Sequence, residues 1–347
     1  MALARATGPL HQLVVQTSFL GDTVLTTPLI ASLAARGPVD VVVTPASAPL
    51  LANNPDVRTL FVYDKRGADA GVRGFRRLAS SLRAPDGAPA VAYLAQRSVR
   101  SGALALAAGY AERVGFEESA GAPLYTCRVP YREDRHHAAR LWRLANDDAL
   151  TVTPADGALR PRLYPGDAER RAVDALVGID DGRPLVALAP GSVWATKRWP
   201  YFAELGKRLA PRVRLALIGG AADAPEAASI TQISGAQGVV DGTVSLSLLA
   251  SAELIGRARL LVTNDSAPQH LASAMGTPTI TLFGPTVDAF GFGPLAPHSI
   301  PLGLDTLACR PCHHHGPPRC PLGHWRCMRE LGVDLVAAVV EELLGAS

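Results

Sequence analysis

Three stretches of the chain end a strand-like run in residues able to do chemistry. The first reads Thr17-Ser18-Phe19-Leu20-Gly21-Asp22-Thr23. Asp22 stands where a strand gives way, through a glycine-containing turn, to a helix. A carboxylate there can cap the helix by accepting backbone N–H bonds, or serve as general base for a hydroxyl nucleophile. The turn is not GxGxxG, so a simple dinucleotide-binding dehydrogenase loses support. The second stretch is Pro190-Gly191-Ser192-Val193-Trp194-Ala195-Thr196-Lys197-Arg198-Trp199-Pro200. A Gly/Ser turn after a strand exposes backbone N–H groups, and Lys197 can set an ammonium against phosphate oxygens. The alternative is an ordinary loop with a solvated Lys-Arg pair. It is not a Walker A loop, so an ATPase has no support. The third is the densest: Thr263-Asn264-Asp265-Ser266-Ala267-Pro268-Gln269-His270, followed by Gly276-Thr277-Pro278 and Phe283-Gly284-Pro285-Thr286. Asp265 and Ser266 can cap the next helix, whose free N–H groups favour an anion such as a diphosphate. His270 falls one turn on, either as a donor to that anion or as a satisfied core histidine.

Two further features stand beside these. Gly219-Gly220, after the run RLALI, offer a close-approach turn for a nucleotide. Cys309-x2-Cys312-x7-Cys320-x6-Cys327 lies among His313, His314, His315 and His324. Such a set can bind structural zinc, although the spacing matches no regular finger and a reduced thiol cluster is the competing reading.

The elements that must position these residues follow from pattern. The chain has 347 residues, 48% hydrophobic and 19% charged, enough for sizeable cores and about two domains. Aromatics are only 5%, so Ala, Val and Leu must build those cores. Strands are expected at 12–17, 39–44, 59–63 and 90–94, with helices at 22–36, 46–53 and 99–109. Residues 65–89 read as a mobile loop with a short helix. A Pro/Gly-rich joint spans 151–167. Beyond it come strands at 184–189, 213–218, 259–263 and 278–283. Helices there fall at 167–177, 200–210, 223–234, 245–257 and 267–275. Strand–helix alternation with continuous apolar runs argues for α/β, parallel sheets covered on both faces. Two doubly wound domains facing across a cleft are expected, 1–165 and 166–347, with the last helix able to pack back on the first. Ligands in such sheets sit at the carboxyl ends of the strands.

Several classes are excluded or disfavoured. A net charge of +3 is too mild to imply nucleic acid. No apolar run reaches membrane-spanning length, and the first residues lack a signal peptide's apolar region, so integral membrane and secreted proteins are not expected. Five cysteines in this length make no disulfide framework.

Taken together, SFLGDTVLTTP (18–28), PGSVWATKRWP (190–200), TNDSAPQHLASAMGTPTITLFGPT (263–286) and the CRPC…CPLGHWRCM tail (309–328) resemble the ADP-heptose:lipopolysaccharide heptosyltransferases, glycosyltransferase family 9. The likeness is greatest to the heptosyltransferase II branch, with weaker echoes at 97–104, 113–116 and His136 with Arg140. The resemblance implies a GT-B fold of two Rossmann-like domains, acceptor in the first and ADP-sugar donor in the second, and inversion at the anomeric carbon with no cofactor required. It implies Asp22 as catalytic base and Lys197 as the charge that neutralises the leaving diphosphate. Ser192, Gly219, Gly220, Asp265, Ser266, Ala267 and His270 would line the donor; Ser18, Arg100 and Arg113 would meet the acceptor. The partners implied are ADP-heptose and a lipid-A-linked core oligosaccharide, reached from the cytoplasm by peripheral contact with the inner membrane. Ala267 stands where many members carry Gly, and 65–89 has no clear counterpart. Heptosyltransferase I, a nucleotide-sugar epimerase and a non-catalytic sugar-nucleotide binder are the alternatives.

Overall fold

Runs such as VDVVV and LVALA cannot leave either face in water, so they form strands buried on both sides. A computed structural model describes residues 10–83, 89–146, 154–155, 157–179, 181–235 and 238–345. The chain divides into two units, Met1–Pro161 and Arg162–Ser347.

The first unit runs β1 (His11–Val15), α1 (Leu20–Leu25), α2 (Thr27–Ala34), β2 (Val39–Val43), α3 (Ala48–Leu51), β3 (Thr59–Val62), α4 (Gly71–Ser81), β4 (Ala90–Leu94), α5 (Val99–Ala107), β5 (Glu112–Phe116), β6 (Cys127–Val129) and α6 (His137–Arg143). Its sheet order is β3-β2-β1-β4-β5-β6, parallel throughout, with Val14 opposite both Val41 and Tyr93. The order reverses between β1 and β4, the switch point where such sheets place ligands. Leu13, Val15, Val42, Ala92 and Leu94 fill the core with Leu104 and Tyr110. Each fully buried Val or Leu contributes about 1.5–3 kcal/mol.

The second unit runs α7 (Asp167–Val177), β7 (Leu185–Ala189), α8 (Phe202–Leu209), β8 (Arg214–Leu217), α9 (Ala224–Ser234), β9 (Val239–Asp241), α10 (Leu248–Arg257), β10 (Leu260–Asn264), α11 (Ala267–Met275), β11 (Thr279–Phe283), β12 (Ile300–Gly303), α12 (Arg326–Arg329) and α13 (Val333–Gly345). The order β12-β11-β10-β7-β8-β9 repeats the first unit's topology, and its switch point lies between β7 and β10.

Three expectations change. The helix expected over 22–36 is broken into α1 and α2 at Thr26. Pro28 has no N–H to give the Val24 carbonyl; Thr27 Oγ1 serves it instead at 2.8 Å, and Thr26 Oγ1 serves Asp22 O at 2.7 Å. Within 65–89, the helix is longer than a short one: α4 runs eleven residues, Gly71–Ser81. The turn before it is held by Asp64, whose oxygens accept from Gly67 N and Ala68 N at 2.9 and 3.0 Å; residues 84–88 lie outside the described set. The last helix, α13, buries Val336, Ala337 and Val340 in the second unit's own core, against α8 and β10. No helix of the described residues is long and apolar enough to cross a membrane.

Candidate active site

In the first unit, β1 delivers its chain to the switch point and Gln16, Thr17 and Ser18 lead into α1. Asp22 sits in the first turn of that helix but does not cap it. The Ser18 hydroxyl touches its Oδ2, and the same hydroxyl lies 2.8 Å from Gln16 Oε1, so its one proton serves one acceptor at a time. Gln16 is itself fixed, donating to Thr26 Oγ1 at 3.1 Å and Ala95 O at 3.2 Å. On the other side His137 Nε2 stands 3.7 Å from Asp22 Oδ1. Burial, with Arg140, His136 and Arg97 nearby, pushes the His137 pKa down to about 3. The contact is therefore between a neutral imidazole and the carboxyl group and is not an ion pair.

Cations gather at the same sheet edge. Lys65, past the end of β3, donates to Thr17 O at 2.7 Å. Burial and then the charges of Arg66 and Arg100 hold its pKa below the ordinary lysine value. Arg100, in the first turn of α5, donates to Tyr63 Oη at 3.2 Å. Arg113 is elsewhere. It lies near the amino end of β5, with its guanidinium donating to Leu124 O at 2.7 Å and Ala111 O at 3.0 Å, so it pins local backbone and does not join the Asp22 edge.

In the second unit, the loop after β7 and the start of α11 meet at the switch point. Lys197 is buried, in a single 3-10 turn, and donates to Asp265 Oδ2 at 2.5 Å and Asp265 O at 3.3 Å. Asp265 also accepts from Thr286 Oγ1 at 2.7 Å and from Gln269 Nε2 at 2.8 Å. Asn264 ties the loop to β10, donating to Pro190 O at 2.7 Å and accepting from Trp199 N at 2.9 Å. Ser266 is the N-cap residue of α11 by position, yet its hydroxyl donates to Gly191 O at 3.2 Å and caps nothing. The expected side-chain capping is thus absent, Pro268 has no N–H, and Gln269 N donates to Ser266 O at 3.3 Å, which leaves the helix start to the N–H groups of Ser266 and Ala267. His270 is buried one turn further on. Ser192 Oγ accepts from Trp194 N at 3.3 Å and its carbonyl from Arg198 Nε at 2.8 Å. Gly219 and Gly220 follow β8; Asp223 Oδ2 accepts from Gly220 N at 2.9 Å. A Cβ on Gly191 would lie 2.4 Å from Asp223 Oδ1, and one on Gly219 2.8 Å from Asp223 Cβ, so both glycines are required by that close packing.

Residues 75–322 match glycosyltransferase family 9 (heptosyltransferase). The chain belongs to that family. It is 27% identical over 300 residues to lipopolysaccharide heptosyltransferase 2 of Escherichia coli K12, an alignment covering 80% of this chain and 84% of the relative. It is 36% identical over 146 residues to lipopolysaccharide heptosyltransferase 1 of Pseudomonas aeruginosa, covering 40% of this chain and 39% of that one. The fold is similar to that of E. coli ADP-heptose LPS heptosyltransferase II, with a TM-score of 0.77, 24% identity, and coverage of 96% of this chain and 98% of that one. The GT-B fold class expected from the sequence is the one this glycosyltransferase has.

The cysteine-rich tail of the glycosyltransferase does other work than expected. Among the described residues, no group of three or more His, Cys, Asp or Glu side chains is placed to hold a metal ion, so structural zinc is not supported. The four thiols sit at different depths: Cys327 faces the core while Cys312 is exposed. Burial pushes the Cys327 thiol up to about 11. Burial also raises Cys320, but backbone N–H groups of Trp325, Leu322, Gly323 and His324 more than reverse this and leave it below the ordinary thiol value. What the tail does is strap the Lys197 loop and the loop after β11. Trp325 Nε1 donates to Thr196 O at 2.8 Å, Thr196 Oγ1 donates to Pro317 O at 2.5 Å, and Cys312 N donates to Pro285 O at 3.0 Å. Arg310 donates to Gly284 O at 2.6 Å and Phe283 O at 3.0 Å. Sequence reasoning missed Thr286, Gln269, Arg310 and His137. Thr286 lay inside a quoted motif and Gln269 beside His270, but nothing local in sequence pairs either with Asp265.

Proposed function

We propose that this enzyme transfers heptose from ADP-heptose to an inner-core heptose of lipopolysaccharide with inversion at the anomeric carbon. The observation that carries the reading is the opposite chemistry of the two switch points: a carboxylate with about 20% of its side chain exposed in one unit, and a buried ammonium beside a helix start in the other. Asp22 accepts the proton of the acceptor hydroxyl as its oxygen attacks C1 of heptose. The C1–O bond to ADP breaks, and the electron pair leaves on the β-phosphate. That charge falls to Lys197, which has three N–H donors of which Asp265 takes two, and to the N–H groups at the start of α11. Asp265, held by Thr286 and Gln269, keeps the ammonium in place and tempers its charge until the diphosphate arrives. Ser192, Gly219 and Gly220 lie on the turns where the nucleotide's backbone contacts are expected, with His270 behind them. Ser18, Arg100 and Lys65 are placed for the acceptor, whose phosphates or carboxylates suit the cations. No step needs a metal. The lipid-linked acceptor implies peripheral work at the cytoplasmic face of the inner membrane.

The test is ADP release from ADP-heptose, with and without a lipid-A-linked core acceptor, one arm carrying a terminal heptose and one lacking it. The heptosyltransferase II reading expects release only with the heptose-bearing acceptor and a product one heptose heavier. The heptosyltransferase I reading, favoured by the 36% identity to a heptosyltransferase 1 over a shorter stretch, expects release with the acceptor lacking it. Conversion of donor without acceptor would point to an epimerase, and binding without turnover on either acceptor to a sugar-nucleotide binder.

A further inference from the structure

Among the described residues, two side chains meet the two oxygens of Asp22. Ser18 meets Oδ2; what meets Oδ1 is His137, the first residue of α6, an element that lies more than a hundred residues further along the chain. We infer that His137 is the residue that positions Asp22, presenting Nε2–H to Oδ1 in a tautomer fixed by the Tyr131 hydroxyl. The inference rests on the reading of Asp22 as base.

The tautomer follows from a chain of donors. Arg140 is buried and has only donors to offer. Its Nη1 donates to Tyr131 Oη at 2.9 Å, while Nε and Nη2 are fixed on Arg132 O and Glu133 O at 2.8 and 2.7 Å. The Tyr131 oxygen thereby accepts, and its own proton turns to the remaining neighbour, His137 Nδ1 at 3.4 Å. An imidazole that accepts at Nδ1 carries its proton on Nε2, the nitrogen that faces the carboxylate. The Tyr131 ring is itself clamped, with Arg97 and Arg140 guanidinium carbons 4.8 and 4.7 Å from its centroid. At 3.7 Å the His137–Asp22 pair is short of a hydrogen bond, and a small side-chain rotation closes it; such bonds tighten in reacting complexes.

Among the described residues, these groups face His137 and bear on its charge. Asp22 comes from α1, Arg97 from the loop after β4, Tyr131 from the loop before α6, and His136 and Arg140 from its own neighbourhood; α2, which also packs on α6, carries no titratable residue. Three neighbouring groups that are or can become cationic, and burial, disfavour an imidazolium. A neutral donor orients the carboxylate without cancelling its basicity, as an imidazolium would. His136, the neighbour that the sequence singles out, instead caps α6 by accepting from Ala138 N at 3.2 Å.

The test has two arms. In nitrogen-15 spectra of the histidines, with His137→Gln to assign the signal, His137 is expected as the Nε2–H tautomer, unchanged from pH 8 to 5. Titration near 6.5, or an Nδ1–H tautomer, overturns the inference whatever the enzyme's substrate. In turnover, His137→Ala is expected to lower kcat roughly tenfold, leave the KM for ADP-heptose unchanged, and move the acid limb of the kcat profile upward, since the carboxylate loses a donor. His137→Gln, whose amide N–H falls near the place of Nε2, is expected to return the limb toward wild type. An unmoved acid limb in His137→Ala, or equal loss in both variants with a raised donor KM, contradicts a positioning role. Asp22→Asn with undiminished transfer would sink the base assignment itself, a failure the spectra keep separate from that of the His137 geometry.

Discussion

Asp265 carries three side-chain donors on two oxygens, from Lys197, Thr286 and Gln269, in a pocket where it and Lys197 are each less than a tenth exposed. Removing one partner of such a pair leaves a charge buried and uncompensated, at a cost of about 3–5 kcal/mol. Lys197→Met is therefore expected to lower the urea-unfolding free energy by about that amount and to abolish measurable transfer. Thr286→Val removes one neutral donor and should cost about 1–3 kcal/mol. Equal, small losses in the two variants would show that the ammonium is not committed to Asp265. His137 supplies a pH prediction at the same scale. Its native pKa lies near 3 and its unfolded pKa near 6.5. Between those values the unfolded chain binds a proton that the native chain refuses. The wild type's stability relative to His137→Gln should thus decline as pH falls from about 6.5, by about 1.4 kcal/mol per pH unit. Urea midpoints of both proteins from pH 7 to 4.5 check this, and parallel curves would contradict it.

At the scale of elements, short turns hold the chemistry and rigid strands aim them. Gly191 lies against the Asp223 carboxylate, which in turn accepts from Gly220 N. Gly191→Ala forces Asp223 aside and should cost about 1–3 kcal/mol, with ADP affinity falling in a binding titration while acceptor binding is kept. The turns themselves were legible in the sequence: a buried apolar run that ends in SFLGD, APGS or TNDS announces both strand end and helix start. The central strands β1, β2, β7, β10 and β11 were legible for the same reason. The edge strand β3 was legible as well, whereas β5 inside the first sheet and the edge strands β6, β9 and β12 were not. β6 (CRV) and β9 (VVD) are three residues long and half exposed, so neither periodicity nor composition marks them. The split of α1 from α2 depends on threonine hydroxyls replacing a missing amide, a rule of side-chain geometry more than of propensity. His137 was beyond sequence reasoning because its partner, Asp22, is local only in the folded sheet. The cysteine spacing suggested zinc because spacing carries no information about depth, and Cys327 and Cys312 lie at different depths. That difference has a chemical signature: under limiting alkylation near pH 8, Cys320, held below the ordinary thiol value, is expected to react well ahead of Cys327, whose pKa is about 11. Peptide mapping reads the order, and prior modification of Cys327 would contradict it.

At the scale of the whole molecule, one topology is used twice, with β3-β2-β1-β4-β5-β6 in the first unit matched by β12-β11-β10-β7-β8-β9 in the second. On the proposed function, each unit's switch point would carry one half of a group transfer, a carboxylate in the first and an ammonium with a helix start in the second. Neither half alone distinguishes a transferase from a binder: a helix start and a lysine can hold a diphosphate without any transfer following. The claim that separates them is that Asp22 removes the acceptor's proton. General-base catalysis contributes roughly 10²–10⁴-fold. The most direct measurement is the rate of heptose transfer by Asp22→Asn beside wild type, with ADP-heptose affinity measured for both by titration. A loss of at least about a hundredfold in turnover with donor affinity unchanged is the predicted result. Turnover within a few fold of wild type, or a loss explained by failed donor binding, would contradict it.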